Sequence, residues 1–206
     1  MPPKTGLGWL GLAWVKWLNF YARIGPYSRY FPASGMISPY CALRNHTPYS
    51  LLEGAIPMAT LIQRARDYGM TSLGIADSGH LFGALEFSLA CQKKGLHPVI
   101  GCQVSWIHPL ANAPYPLVVF VHSHQGYQNV CRLVRASTVG QPAALRGHVT
   151  WDQLKQYNAG LLALTGGIEG ALDQLLFRGR IDTAKEVLKD LATHFSDRLY
   201  VELQRE

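Results

Sequence analysis

Short apolar runs alternate with helix-like segments along most of this chain, and this alternation constrains its fold more than any other feature. Six runs read as strands, at residues 41–44, 71–77, 97–106, 117–121, 160–166 and 198–203. Helical segments separate most of them, and a proline-containing loop at residues 109–116 is the main exception. Strands that alternate with helices predict an α/β fold built on a parallel sheet or a barrel.

Local signals predict where several helices begin and end. Pro57 opens the first helix at a position where a missing N–H costs nothing, and Gly69 ends it. Thr150 and Gln153 have the spacing of a capping box. Asp182 is the predicted N-cap of the last helix. No strand is followed by a glycine-rich nucleotide-binding fingerprint, so the chain lacks the usual sequence sign of a dinucleotide or nucleotide fold.

The charge of the chain is concentrated at its start. The 206 residues are 48% hydrophobic and 16% charged, which is a globular composition, and the net charge is +6. Residues 1–43 contain basic residues but no acidic ones, so the remaining body is nearly neutral. A nucleic-acid-binding face needs clustered Lys and Arg, and the body offers only pairs such as Arg178 and Arg180. The body itself is therefore not predicted to bind DNA.

Residues 1–35 differ from the rest of the chain. They are rich in Trp, Gly and Tyr and show no clear period. We interpret them as an atypical N-terminal extension, unstructured or upstream of a true start at Met36, and residues 36–206 as the domain. A second interpretation makes residues 7–22 an interfacial membrane anchor. No run of 18 uninterrupted apolar residues supports a membrane span.

The four cysteines are scattered through apolar runs without a CxxC pair. This pattern is typical of buried free thiols in a reducing compartment, so we expect a cytoplasmic protein without disulfides.

The segment Arg44-Asn45-His46 follows the first predicted strand and raises the question of a metal site. Residues i and i+2 of a strand point to the same side, so a His-x-His here would aim two imidazoles at one metal. An arginine has no lone pair to donate, so this motif supplies at most half of such a site. His122 and His124 form a complete His-x-His after another strand, but no carboxylate follows them closely, and we do not expect a metal there.

Five blocks of sequence together carry a family resemblance. In order, they are LRNHTPYSLLEGA, IADSGHLFGALEFSLA, PVIGCQVSW, GYQNVCRLV and GLLALTGGIEG. Their order and spacing resemble the PHP (polymerase and histidinol phosphatase) domain family, and more closely the N-terminal domain of bacterial DNA polymerase III alpha subunits. The resemblance covers residues 38–205 and implies a distorted (β/α)7 barrel with metal ligands at its strand ends. Because only six strands are recognisable, we expect residues 36–206 to be a C-terminally truncated PHP domain.

The resemblance also implies which residues would bind the metals. His46 and Asp77 match ligand positions of the family. The ligands are lost at four further positions, Arg44, Ser78, Gln103 and Gly167. Two ligands remain where a catalytic zinc needs three, so we expect no catalytic, cofactor-binding or metal-binding residues in this chain. The shared strand-end location of Arg44 and Asp77 suggests a salt bridge between them. His80 is expected to act in a turn or cap, and Glu86 to be structural.

What the family does suggests a function in DNA replication. The full-length relatives are DNA-directed DNA polymerases, nucleotidyltransferases whose Mg²⁺-binding carboxylates would lie outside these 206 residues. This part is expected to be inactive alone and without a cofactor. It would serve as a scaffold or docking platform for the proofreading exonuclease subunit and other replicase subunits, and DNA would be bound through the full-length protein. The alternative is a stand-alone PHP-type metal-dependent phosphoesterase.

Overall fold

Six strands and six α-helices make up the part of the chain that the computed structural model describes, residues 40–111, 113–139 and 147–203. The strands are β1 (Ser72–Ser78), β2 (His97–Ile107), β3 (Tyr115–Val121), β4 (Val149–Thr150), β5 (Leu161–Leu164) and β6 (Leu199–Tyr200). The helices are α1 (Met58–Asp67), α2 (Ala84–Lys93), α3 (His124–Thr138), α4 (Trp151–Gln156), α5 (Ala171–Phe177) and α6 (Ile181–Phe195). The predictions for residues 1–35, and for most of the loop after α3, lie outside the described residues.

The strands form one mixed sheet in the order β1-β2-β3-β5-β6, with β4 paired to β2. Of the two predicted alternatives, a parallel sheet or a barrel of the PHP type, the parallel sheet is wrong, because β3 runs antiparallel to both β2 and β5. The reason is the connection between β2 and β3, which contains no helix. A parallel return needs a long crossover, whereas a short loop brings the chain back antiparallel. The α/β class is as predicted, but the set of six strands differs, because residues 41–44 do not form a strand and β4 was not predicted.

Residues 41–44 do not form the predicted strand. The segment still runs beside β1, since Gly74 donates a backbone hydrogen bond to Ala42 and Ala76 donates one to Asn45, both at 2.8 Å. The Asn45 side chain donates to the carbonyl oxygens of Ala42 at 3.0 Å and Gly74 at 2.9 Å. A side chain therefore takes positions that backbone groups would fill in a regular ladder, and the pairing is interrupted.

Gly74 allows this segment to approach β1. A Cβ atom at Gly74 would lie 2.6 Å from the carbonyl oxygen of Leu43 and 2.7 Å from its Cα atom. Those contacts are far inside van der Waals distance, and both involve backbone atoms. A glycine at position 74 is therefore required to hold residues 42–45, and with them Arg44, against the sheet.

Two hydrophobic clusters hold the helices on the sheet. The smaller one packs α1 and α2 on β1 through residues such as Ile62, Ile75 and Phe87. The larger one packs α3, α4, α5 and α6 around β2, β3 and β5. Together they fix the sheet, and thus the ends of its strands, as a rigid frame.

The helix-end predictions have mixed outcomes. The capping box of Thr150 and Gln153 is confirmed, with both of its hydrogen bonds formed. Pro57 precedes α1, and Gly69 follows it with a φ of 69°. Asp182 is not the N-cap of α6, because that helix begins one residue earlier and Asp182 lies in its first turn. The last strand is also shorter than predicted.

Two further expectations concern the burial of the cysteines and a membrane span. Cys41, Cys91, Cys102 and Cys131 are free thiols. The expectation that they are buried holds for Cys91 and Cys102, whereas Cys41 is half-buried and Cys131 is exposed. None of the helices in the described part of the chain combines the length and the apolar character needed to cross a membrane.

Candidate functional site

Arg44 joins three parts of the chain at one end of the sheet. Its Nη2 atom donates to Oε1 of Gln103 on β2 at 2.7 Å. Its Nη1 atom donates to Oε1 of Glu202, just after β6, at 3.0 Å and to the carbonyl oxygen of Gly166, after β5, at 3.3 Å. The Arg44 and Glu202 side chains are only 14% and 10% exposed. This ion pair is therefore shielded from water, and it links the segment beside β1 to the opposite edge of the sheet.

Asp77 at the end of β1 is buried and fully engaged by the loop that follows Arg44. Its Oδ1 atom accepts hydrogen bonds from the backbone N–H of Thr47 at 2.7 Å and from the Ser50 hydroxyl at 2.6 Å. Its Oδ2 atom accepts from the Thr47 hydroxyl at 2.8 Å. The predicted salt bridge between Arg44 and Asp77 is wrong, because Arg44 pairs with Glu202 and Asp77 is saturated by hydroxyl and amide donors.

His46 lies beside Glu53, in the same loop. Its Nδ1 atom is buried, has no hydrogen-bond partner among the described residues, and lies 3.6 Å from Oε2 of Glu53. That oxygen accepts a hydrogen bond from the Ser78 hydroxyl at 2.5 Å. Within the described part of the chain, Nδ1 of His46 is therefore not hydrogen-bonded, and Glu53 is already engaged by Ser78.

Ser78 and Gln103 are direct neighbours in the β1–β2 register, and Nε2 of Gln103 donates to the Ser78 hydroxyl at 3.3 Å. Gly167 begins a short 3-10 helix after β5 and is buried. Burial, and then the negative charge of Glu202, raise the pKa of Asp173 on α5.

These residues do not make up a donor set for a divalent cation. No group of three His, Cys, Asp or Glu side chains within the described ranges is placed to hold a metal ion. The amide oxygen of Gln103 and one oxygen of Glu202 accept from Arg44, and both oxygens of Asp77 accept from the loop. A cation here would have to displace these donors and would meet the positive charge of Arg44. The absence of metal binding stays a prediction.

The remaining candidates lie elsewhere. His122 directly follows β3, and His124 begins α3, where its Nε2 atom lies 3.1 Å from Nε2 of Gln128. His80 contacts the carbonyl oxygen of Tyr49 through Nε2 at 3.1 Å, and Glu86 accepts a 3.0 Å hydrogen bond from the Tyr49 hydroxyl. His80 and Glu86 therefore both tie the loop before α1 to the start of α2.

The sequence reasoning missed four residues of this network, Thr47, Ser50, Glu53 and Glu202. A signal for Glu202 was present, since it is a carboxylate at the end of a predicted strand, which is where ligands and their replacements gather. For Thr47 and Ser50 the signal was weaker. They lie in a short polar stretch, and only the burial of Asp77 makes their hydroxyl groups necessary.

The fold is that of a known class. The family model of the PHP domain matches residues 42–206, so the chain belongs to the PHP domain family. Among curated relatives, the DNA polymerase III subunit alpha of Caulobacter vibrioides is 34% identical over 170 residues. The corresponding subunit of Neisseria meningitidis is 31% identical over 169 residues. The alignments cover 79% and 81% of this chain but only 15% of each relative, so the chain spans about 15% of the length of these proteins.

A solved structure has the same fold. A protein from Bifidobacterium adolescentis assigned as a metal-dependent phosphoesterase superposes with a TM-score of 0.51 at 13% identity. The superposition covers 79% of this chain and 85% of that one. At this identity the likeness establishes the α/β fold of the PHP type.

Proposed function

We propose that this chain is the PHP-domain part of a replicative DNA polymerase III alpha subunit and acts there as a non-catalytic scaffold. The observation that carries the proposal is the position of the Arg44 side chain. It reaches Gln103 within β2 and the residues just after β5 and β6, where a metal-dependent member of the family would gather its ligands. A guanidinium is always protonated and offers donors only, so it can tie acceptors together but cannot activate water.

The geometry supports a mechanical role for this former site. The hydrogen bonds of Arg44 to Gln103, Gly166 and Glu202 connect segments that are far apart in the sequence. The hydrogen bonds of Asp77 hold the loop over the end of β1. In a metal-dependent enzyme the bound ions would supply such cross-links. Here the chain's own side chains supply them, and the domain keeps a rigid outer surface.

A rigid surface of this kind is suited to docking. We propose that it binds the proofreading exonuclease subunit and, through the longer protein, other replicase subunits. DNA contacts and the Mg²⁺ ions of nucleotidyl transfer belong to the polymerase part of the longer protein, which acts in the cytoplasm. The near-neutral body of this chain is consistent with protein rather than DNA as its direct partner.

A second candidate, a stand-alone phosphoesterase, is favoured by one observation. A cavity of about 290 Å³ adjoins the site, lined by Arg44, Asn45, His46, Glu53, Gly54, Ala55, Ile56 and Leu61. His46 and Glu53 on its wall are of the residue types that bind metals or transfer protons. Phosphoesterase activity would require them to recruit a metal despite the adjacent arginine.

One experiment separates the two functions. The purified chain is dialysed, its Zn²⁺ and Mn²⁺ content is measured by mass spectrometry, and hydrolysis of p-nitrophenyl phosphate and of DNA 3′ ends is assayed with added Mn²⁺. The scaffold function predicts sub-stoichiometric metal and no metal-dependent turnover. Stoichiometric metal with turnover that His46→Ala abolishes would establish the phosphoesterase and refute the scaffold.

A further inference from the structure

The outward face of α2 carries an apolar strip with no described part of the chain packed over it. Leu85 is 72% exposed and Leu89 51%, and Phe82, just before the helix, is 74% exposed. The Phe82 ring stacks on His80 at 4.5 Å, which fixes its position at one end of the strip. The opposite face of α2 is buried against the sheet through Ala84, Phe87 and Cys91. Exposed apolar side chains that continue along one helix face mark an interaction surface.

Two charged residues flank this strip on one side. At 3.6 residues per turn, Leu85 and Leu89 lie 40° apart around the helix, and Glu86 and Lys93 lie 20° apart on the same flank. Both charged residues are exposed. They are seven residues apart, so their positions along the axis differ by about 10 Å. The flank thus presents a negative charge toward one end of α2 and a positive charge toward the other.

This pattern is complementary to itself in one orientation. When two copies of α2 pack antiparallel about a two-fold axis near Leu89, the same flank of each helix meets its counterpart. Glu86 then faces the second copy's Lys93, and Lys93 faces the second copy's Glu86. A parallel two-fold pairing would instead place this flank against the opposite flank of the second copy, so Glu86 and Lys93 would not meet. Such a two-fold contact is the commonest form of homo-oligomer.

We propose that the α2 strip is an antiparallel self-association surface that joins two copies of this chain. It lies on a helix outside the Arg44 site and is independent of the proposed function. A stable interface buries about 800 Å² on each partner, and a strip of three large side chains provides only part of that. The dimer is therefore expected to be weak and to depend on protein concentration.

The test is sedimentation velocity of the 206-residue chain over a range of concentrations, with charge-reversal variants. Glu86→Lys gives two positive residues on the flank, and Lys93→Glu gives two negative ones, so each variant alone should dissociate about tenfold more readily because attractive pairs become repulsive. An equimolar mixture of the two variants restores both attractive pairs, and so does the double variant E86K/K93E. Restored association in both cases is the expected result.

Two controls distinguish this specific contact from nonspecific hydrophobic association. Leu89→Ala should weaken association, whereas Leu176→Ala should not, although Leu176 is equally exposed at 50%. Tyr49→Phe removes the hydrogen bond to Glu86 and should leave association unchanged. Monomeric protein at every concentration, or single variants that associate as well as their mixture, would overturn the proposal. In either case residues 1–39 or a different protein would be the alternative occupant of the strip.

Discussion

The Nη2 atom of Arg44 lies 2.7 Å from Oε1 of Gln103, so two residues at positions where the family resemblance implies lost ligands contact each other. The pair is chemically coherent. A neutral amide oxygen is a weak ligand for a cation but a good acceptor for a guanidinium. The same guanidinium reaches Glu202, so these side chains form a connected network. This relationship leads to several measurable consequences.

Replacing Arg44 by methionine should destabilise the domain by about 2–3 kcal/mol, because Glu202 would keep a shielded negative charge without its cation. Chemical denaturation measures the loss. The double variant R44M/E202Q should recover part of it. As a control, Lys185→Met removes a solvent-exposed pair with Asp182 that has a similar separation of 3.2 Å, and it should leave the free energy of unfolding unchanged. Equal losses in the two single variants would contradict the role given to Arg44.

Restoring the family ligands should create metal affinity where we expect none now. The triple variant R44H/S78H/Q103E adds two imidazoles and a carboxylate next to His46 and Asp77, which is enough for a zinc site. Isothermal titration with Zn²⁺ should show binding by the triple variant and none by the parent chain. A control, H122A/H124A, should not change either result. Unchanged affinity in the triple variant would mean that the site is misplaced.

Asp77→Asn should open the loop of residues 47–54. An amide has only one oxygen, so one of the donors from Thr47 and Ser50 would face an NH2 group, at a cost of about 1–3 kcal/mol. Limited proteolysis within the loop should become faster, and the free energy of unfolding should fall. Asp152→Asn, at an exposed position, is the control. A protease-resistant loop in the Asp77 variant would show that the loop is held by other contacts.

Gly74→Ala should act on Arg44 through the backbone. Its Cβ atom would displace Leu43, so we expect a loss of about 1–3 kcal/mol that is not additive with Arg44→Met. Gly95→Ala is the matched control, because it has open space around its Cβ but a φ of 72°. It should cost about 1 kcal/mol and be additive with Arg44→Met. If the stability losses of Gly74→Ala and Arg44→Met were additive, Gly74 would not act through the Arg44 network.

Stability should fall in alkaline solution. Burial raises the pKa of the Cys102 thiol from 9.0 to about 12, and the negative charge of Asp77 adds to this. The unfolded thiol ionises from about pH 9, whereas the folded one stays neutral, so stability is complete below pH 9 and is lost progressively up to pH 12. Urea denaturation at pH 7.5 and 10.5 should show a smaller difference for Cys102→Ala than for the parent chain. Equal differences would mean that Cys102 does not contribute.

Local features were predictable from the sequence because they depend on neighbours in the chain. The capping box at Thr150 needs only Gln153, and the buried strand before Asp77 is evident from its composition. The partner of Arg44 could not be predicted in this way, since Glu202 is 158 residues away in the sequence and only the folded structure brings them together. The antiparallel direction of β3 could have been predicted, because the loop after β2 contains no helix. The prediction of a strand at residues 41–44 was wrong, because an extended run of sequence does not reveal that the Asn45 side chain will interrupt backbone pairing with β1.

Asn45 also affects how the domain behaves in a crowded solution. An open sheet edge offers free N–H and C=O groups to any extended chain, and proteins suppress this hazard by blocking the edge. Here residues 42–45 cover the outer edge of β1, and the Asn45 side chain takes carbonyl groups that a foreign strand would need. The interruption of regular pairing is thus a form of protection against amyloid-like growth at that edge, provided by one amide side chain.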